Sequence, residues 1–288
     1  MGEEIIKNIA LNAVVLSFMY ILAALGFAFV LNMMGTVNIA HGAIFMVSAF
    51  ICYYMTVWLG VNSWVAFFIT IIIMALFGVL MERIMFRPFF DNITRIIMMG
   101  IALITLMQTT VTVTTGTKHL IIPPFTSGGT TAIFGTTISN ERIMILAMGA
   151  GLLVVVLLVV NNTTLGRQME AISQDRTAAS LQGININKVS ATVCAIGFAL
   201  AAVSGCMMGE LQRISPTMGD NILLRILMIC MIAGAGSMNG LIVTGCIIGV
   251  MDAILPVYLQ GSTVSALSAG VAMVLLLIKP KGFFGHEM

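Results

Sequence analysis

Long apolar runs separated by short polar stretches dominate the chain, and they set its architecture. A helix that crosses a bilayer needs about 20 mostly apolar residues. Runs of that kind fall at 10–30, 36–58, 62–81, 96–115, 142–160, 190–208, 221–238, 241–258 and 263–279. They predict about nine membrane segments. The second and seventh carry or adjoin Gly/Asn-rich interruptions, so eight full crossings plus one broken or re-entrant piece fits the pattern equally well. The runs are continuous and rich in Leu, Ile, Met and Ala, without the period-two alternation of a membrane β-strand. The predicted fold class is therefore all-α: a polytopic transmembrane helix bundle of 8–9 segments with a broken or re-entrant second segment, forming one domain over residues 1–288.

Composition sharpens this reading. Of 288 residues 59% are hydrophobic and 8% charged, where a soluble domain carries about 25% charged residues. So few charges cannot cover a surface in water, and lipid is the expected surroundings. A net charge of +2 with no basic block gives no case for nucleic acid. Cys52, Cys194, Cys206, Cys230 and Cys246 all fall in apolar runs, with no spacing typical of a metal or redox site. They read as small packing residues. The first residues, MGEEIIKNIA, lack the basic start and cleavage site of a secretory signal. The first apolar run is therefore expected to stay as a helix.

Charge in the short loops predicts orientation. The stretches 82–95, 161–189 and the C-terminal tail hold eight of the thirteen Lys and Arg. The predicted segments place all three on one side, the cytoplasmic one. The other face then carries the Gly/Thr/Pro-rich loop 116–141, the connection Gly209–Gly219 and the N-terminus.

Three segments hold candidate chemistry. The stretch 161–189 is too polar to span. Thr164 is placed to cap a short helix from Leu165, and Asp175 a second that ends at Gly183. Met169, Ala171, Ile172, Ala178, Ala179 and Leu181 would form a small-residue apolar face, with Arg167, Gln168, Gln174 and Arg176 pointing elsewhere. Such a piece suits docking into a groove on a soluble partner; a helical loop lying on the membrane surface fits equally. In residues 31–50, Gly35, Asn38, His41 and Gly42 interrupt an otherwise apolar run. Polar side chains at membrane depth face a bundle interior or a wet cavity. Asn38 and His41, three apart, would share one helix face. They line a translocation path in one reading and make an interhelical hydrogen bond in the other. Residues 233–252 repeat the chemistry with Gly234, Gly236 and Gly240 around Ser237 and Asn239. The GxxxG pairs Gly236–Gly240 and Gly245–Gly249 point to tight helix packing.

Asp252 is the one acid inside a strongly apolar run. It is a proton or ion site in one reading, and a helix-end or bundle-paired group in the other. Asp220 and Arg225 are placed to form a rim pair. No HExxH, nucleophile elbow or Ser/His/Asp set is present, which argues against an enzyme. Walker A is absent too, so this chain carries no cofactor of its own and any ATP must be bound by another subunit.

These residues resemble a known family. GTVNIAHGAIFMVSAF is similar to the G-x-V-N-F-A-H-G run of the branched-chain amino acid ABC transporter permeases, with Ile39 where Phe is usual. MERIMFRPFFDNITRII resembles their E-R-x-x-x-R-P-L-R loop, with Phe90 or Asp91 replacing the last arginine. GRQMEAISQDRTAASLQGININKV resembles their cytoplasmic coupling segment. SPTMG, GAGSMNGLIVTGCIIG and KPKGFFG fit later motifs, with Lys279 for Arg and Phe283 for Leu. The resemblance covers nearly the whole chain in order. It implies the shorter of two related permeases, in the cytoplasmic membrane of a bacterial-type cell. Its partners would be a second permease, two cytoplasmic ATPases, an extracytoplasmic substrate-binding protein and membrane lipid. Gly166, Arg167, Ala171, Asp175, Ala178, Ala179 and Gly183 would engage the ATPases. Gly35, Asn38, His41, Gly42, Ser237 and Asn239 are the candidate path residues. The implied cargo is a branched-chain or related hydrophobic amino acid. Related permeases carry urea, short amides or other amino acids, and a stand-alone ion-coupled carrier using Asp252 or His41 is the competing class.

Overall fold

In the computed structural model, residues 2–90, 92–126, 129–133, 136–234, 236–259, 261–279 and 282–283 are described. Each of the nine apolar runs forms one helix: α1 (Gly2–Met34), α2 (His41–Val57), α3 (Ser63–Met81), α4 (Ile93–Thr115), α5 (Asn140–Asn162), α8 (Ile186–Leu211), α9 (Met218–Ala233), α10 (Met238–Tyr258) and α11 (Gly261–Ile278). The polar stretch between α5 and α8 forms α6 (Thr164–Gln174) and α7 (Arg176–Leu181). Among the described residues, six helices are long and apolar enough to cross a membrane: Ile6–Met34, Ser63–Phe89, Ile93–Thr115, Asn140–Asn162, Ile186–Leu211 and Met238–Tyr258. The chain is thus an all-α polytopic bundle. Of the other three helices, α2 and α9 are shorter than the runs suggested. α2 has 17 residues and starts at His41 rather than 36, and α9 has 16. At about 1.5 Å per residue, 16 residues reach about 24 Å, short of a hydrocarbon core of about 30 Å. Gly- and Asn-rich interruptions take the missing length.

The loop 116–141 also departs from a plain turn region. Thr130–Ile133 (β1) and Thr136–Ser139 (β2) pair antiparallel, with Thr130 opposite Ser139. Threonine and isoleucine suit a strand because their branched Cβ is stiff. Nothing in the apolar-run pattern registers a hairpin this short.

The chain divides into two compact units, one of residues 25–123 and 152–223, the other of 1–24, 124–151 and 224–288. In the first, α8 is the central helix and packs chiefly on α3 and α2. Close approach is allowed by missing side chains. A Cβ on Gly26 of α1 would come within 2.5 Å of the Gly197 carbonyl on α8, and one on Gly78 of α3 within 2.6 Å of the Cys194 carbonyl. Helices in lipid associate through such contacts, since apolar burial gives them little drive.

Two loop junctions close this unit. Leu120 and Ile214 exchange both backbone hydrogen bonds, 3.0 and 2.8 Å, and Ile122 N–H donates to the Gly209 carbonyl at 3.1 Å. This joins the connection after α4 to the one after α8, the two stretches that charge counting placed on the outer face. The Arg87 guanidinium donates to the Asn187 carbonyl at 3.2 Å, and Arg176 lies 3.6 Å above the Phe90 ring. This joins 82–95 to 161–189, both predicted cytoplasmic.

In the second unit α10 packs on α1: a Cβ on Gly245 would meet Ile21, and one on Gly249 would meet Ser17. The packing reading of that GxxxG pair holds. Of the five cysteines, Cys52, Cys194, Cys206 and Cys230 are buried with free thiols, and Cys246 is exposed and free.

Candidate translocation path and coupling segment

The break between α1 and α2 is built by Gly35 and Asn38. Gly35 N–H donates to the Leu31 carbonyl at 2.8 Å, and its φ of 63° ends α1 in a conformation that costs other residues a Cβ clash. Asn38 Oδ1 then accepts from Ala40 N–H at 3.1 Å while the Asn38 carbonyl accepts from His41 N–H at 3.1 Å. This side-chain turn launches α2. Asn38 therefore precedes the helix that His41 begins, and the two do not share a helix face as their spacing suggested. The Asn side chain competes for backbone donors and holds the chain out of helix.

The site around this break is buried and aromatic. His41 has no accessible surface and lies edge-on to Phe27 of α1 and Phe198 of α8, with ring centroids 5.5 and 6.3 Å away. Gly42 meets Gly219 backbone to backbone, where a Cβ on either would collide with the other's carbonyl. Thr36 Oγ1 and Asn38 Nδ2 are buried without a hydrogen-bond partner among the described residues. Each such group costs about 1–3 kcal/mol.

The break between α9 and α10 uses two left-handed glycines, Gly234 and Gly236, with φ of 88° and 84°. Ser237 is the N-cap of α10, its Oγ accepting from Gly240 N–H at 3.1 Å, and Asn239 is exposed. The chain end docks here: Phe283 N–H donates to the Ile232 carbonyl at 2.8 Å. Lys281, like Asp91 in the 82–95 loop, lies outside the described residues.

In the coupling segment, α6 turns off α5 so tightly that a Cβ on Gly166 would collide with the Val160 carbonyl. The cap of α6 is Thr163, one residue before the expected Thr164, because α5 runs to Asn162 and leaves Thr163 extended. Its hydroxyl bonds back to the Val159 carbonyl, so it makes no side-chain cap. Asp175 caps α7 as expected, with Oδ1 accepting from Thr177 N–H at 2.8 Å and Ala178 N–H at 3.0 Å. Gly183, with φ of 82°, follows the last turn. The expected single apolar face is divided. Ile172 and Ala179 are buried and Ala171 is half-buried, while Arg167, Ala178 and Gly183 face out. Leu181 is 84% exposed.

Asp252 is buried and paired. Its carboxylate forms an ion pair with Arg225 and accepts from Tyr20 Oη at 2.8 Å and Ser268 Oγ at 3.4 Å, so that α1, α9, α10 and α11 all contribute. This corrects the expected Asp220–Arg225 pair. Asp220 instead accepts from Gln108 Nε2 at 2.8 Å. Tyr20 and Ser268 gave no signal in the sequence. Arg225 did in part: an arginine within an apolar run needs an acid, and the sequence offers both Asp220 and Asp252.

Comparison with known proteins agrees with this arrangement. Residues 9–279 match the family described as branched-chain amino acid transport system, permease component. The chain is 28% identical over 290 residues to the high-affinity branched-chain amino acid transport system permease protein LivH of Salmonella typhimurium strain LT2, covering 96% of this chain and 94% of that one. It is 27% identical to LivH of Escherichia coli K12 over 292 residues and 27% identical to BraD of Pseudomonas aeruginosa over 289, each alignment covering 96% of this chain and 94% of the relative. With the family pattern running from the first apolar helix to the last, this chain belongs to the branched-chain amino acid transport system permease family.

Proposed function

We propose that the chain is a membrane subunit of an ATP-driven importer that moves branched-chain or closely related hydrophobic amino acids across a bacterial-type cytoplasmic membrane. The observation that carries this reading is the family match over residues 9–279, joined to relatives named for that transport. The chain holds no nucleotide motif, so ATP acts through partner subunits. The proposed assembly adds a second related permease, two cytoplasmic ATPases and an extracytoplasmic binding protein.

The geometry supports a division of labour. The outward face of α7, with Ala178, Leu181 and Gly183, offers a small apolar patch for an ATPase groove. Asp175 caps α7, Arg167 faces out from α6, and Gly166, half-buried Ala171 and buried Ala179 lie on the inner side of the segment. Movement of this segment would tilt the helices and alternate the exposure of the path. The break at 35–40 supplies Gly35, Asn38, His41 and Gly42 as solute-lining candidates, and the break at 234–237 supplies Ser237 and Asn239. The pairing of Asp252 with Arg225 favours an ATP-driven importer over an ion-coupled carrier, which needs an acid free to exchange a proton.

The test is affinity purification from native membrane in mild detergent, followed by reconstitution. Recovery of two ATPases and a second permease, with ATP-dependent leucine uptake that valine and isoleucine compete for, is expected. Gradient-driven transport by the chain alone would overturn the reading. Competition by urea or amides, with none by leucine, would reassign the cargo.

A further inference from the structure

We propose that the turn after α3, residues 82–90, is a brace that fixes the coupling helix α7 at a second point, with Glu82, Arg87, Phe90 and Arg176 as positioning residues. The inference rests on the importer reading.

The turn is built as a rigid foot on α3. The helix leaves its regular winding through one wide turn, Glu82–Phe86, and then tightens over Arg87–Phe89. Glu82 has no accessible surface, yet its carboxylate is held by both arms of one guanidinium, Arg87 Nε at 3.2 Å and Nη2 at 2.7 Å. A two-pronged arginine–carboxylate contact fixes orientation as well as distance. The same Nη2 donates to the Asn187 carbonyl in the first turn of α8. The foot is therefore bonded to α3 and to α8 together. Those two helices are already in near-backbone contact at Gly78 and Cys194.

α7 is attached differently. On its C-terminal side it joins α8 through the short link of Gln182, left-handed Gly183, Ile184 and Asn185, and of its own side chains Ala179 is buried. On its N-terminal side it meets α6 at the single extended residue Asp175. A six-residue helix seated by one small buried side chain between two short links resists rotation weakly when pushed. A contact that restricts this freedom is the Arg176 guanidinium carbon, 3.6 Å from the centre of the Phe90 ring. Arg176 is the first residue of α7, and Phe90 ends the foot. A guanidinium over a ring face is drawn to it without one fixed position, so it shifts sideways at little cost and resists being pulled off. It suits a joint that carries load while the angle changes. Displacement of α7 by an ATPase is thereby delivered to α3 and α8 as a pair.

The experiment uses the whole transporter, reconstituted with its ATPases and binding protein, and reads amino acid taken up per ATP hydrolysed. Arg176→Gln and Phe90→Leu are each expected to leave subunit assembly and ATP hydrolysis near wild type and to lower that ratio by about 5-fold or more, the low end of typical coupling energies. The double variant is expected to be no worse than Arg176→Gln alone, because Phe90→Leu removes a contact that Arg176→Gln has already removed. Arg176→Lys, which keeps a cation over the ring, is expected to restore part of the ratio. Should Arg176→Gln not accumulate, Phe90→Leu interrogates the same contact from the other side. An unchanged ratio in Phe90→Leu with assembly intact would overturn the brace while leaving the importer standing. A wild-type preparation without ATPases would overturn the importer itself, so the two failures are distinguishable.

Discussion

Two buried carboxylates, Glu82 and Asp252, each hold an arginine, and the pairs differ in reach. Glu82 and Arg87 are five residues apart within one turn, and the Arg87 side chain keeps 35% of its surface exposed. Asp252 and Arg225 come from different helices. Their side chains are 4% and 20% exposed, and Tyr20 and Ser268 complete the carboxylate's shell. The first pair shapes a turn at the end of a span. The second ties four helices inside the apolar region. The same chemistry thus serves local geometry in one place and helix register in the other, and water decides the difference. An arginine that reaches water survives losing its acid, whereas one inside the bundle does not.

Substitutions can break this contrast in graded steps. The largest loss is expected from Asp252→Ala, which strands Arg225 and removes about 3–5 kcal/mol. It would appear as a much lower melting temperature in detergent and poor accumulation in membranes. Removing both charges as Asp252→Ala with Arg225→Ala should cost less than Asp252→Ala alone. If the double variant is the worse of the two, the cross-helix pair is not a stabilising unit. Glu82→Gln leaves Arg87 in contact with water and should cost about 1.5–3 kcal/mol, the worth of hydrogen bonds to a charged group. Asp175→Ala removes the α7 cap for about 1 kcal/mol, read as faster amide exchange at Thr177 and Ala178. Tyr20→Phe, which deletes one of several donors to Asp252, is expected at the bottom of the scale, about 0.5–1.5 kcal/mol by melting temperature. An equal loss in Tyr20→Phe and Asp252→Ala would mean that the hydroxyl, not the arginine, is the principal partner.

Most of the helix pattern was legible in the residues because apolar runs interrupted by Gly, Asn and charge leave few alternatives in lipid. The polar stretch 161–189 also read correctly as two short helices, and Asp175 as a cap, because capping depends on three neighbouring residues. What could not be read depends on rotation about helix axes. Whether Arg225 meets Asp220 or Asp252 turns on which face of α9 packs inward. The sequence offers an acid for either choice. The start of α2 at His41 depends on Asn38 taking Ala40 N–H with its side chain, one of several local options for an asparagine. Thr163 and Thr164 are equal candidates until the end of α5 is known. Phe90 stands out in the sequence only as a departure from the family loop, and only the folded chain brings Arg176 to it.

The junction between the connections after α4 and α8 has a consequence for how this face can change over evolutionary time. Leu120, Ile122, Gly209 and Ile214 are bonded there through main-chain groups, with the buried Ile122 and Ile214 side chains set against Gly209. Main-chain bonds do not care which side chains flank them. Neighbouring positions such as Lys118, His119 and Arg213 are therefore open to drift without loosening the joint. Proline at 120, 122 or 214 is the exception, since each of those residues donates its N–H. The exposed positions of this face can in this way change while its framework stays fixed.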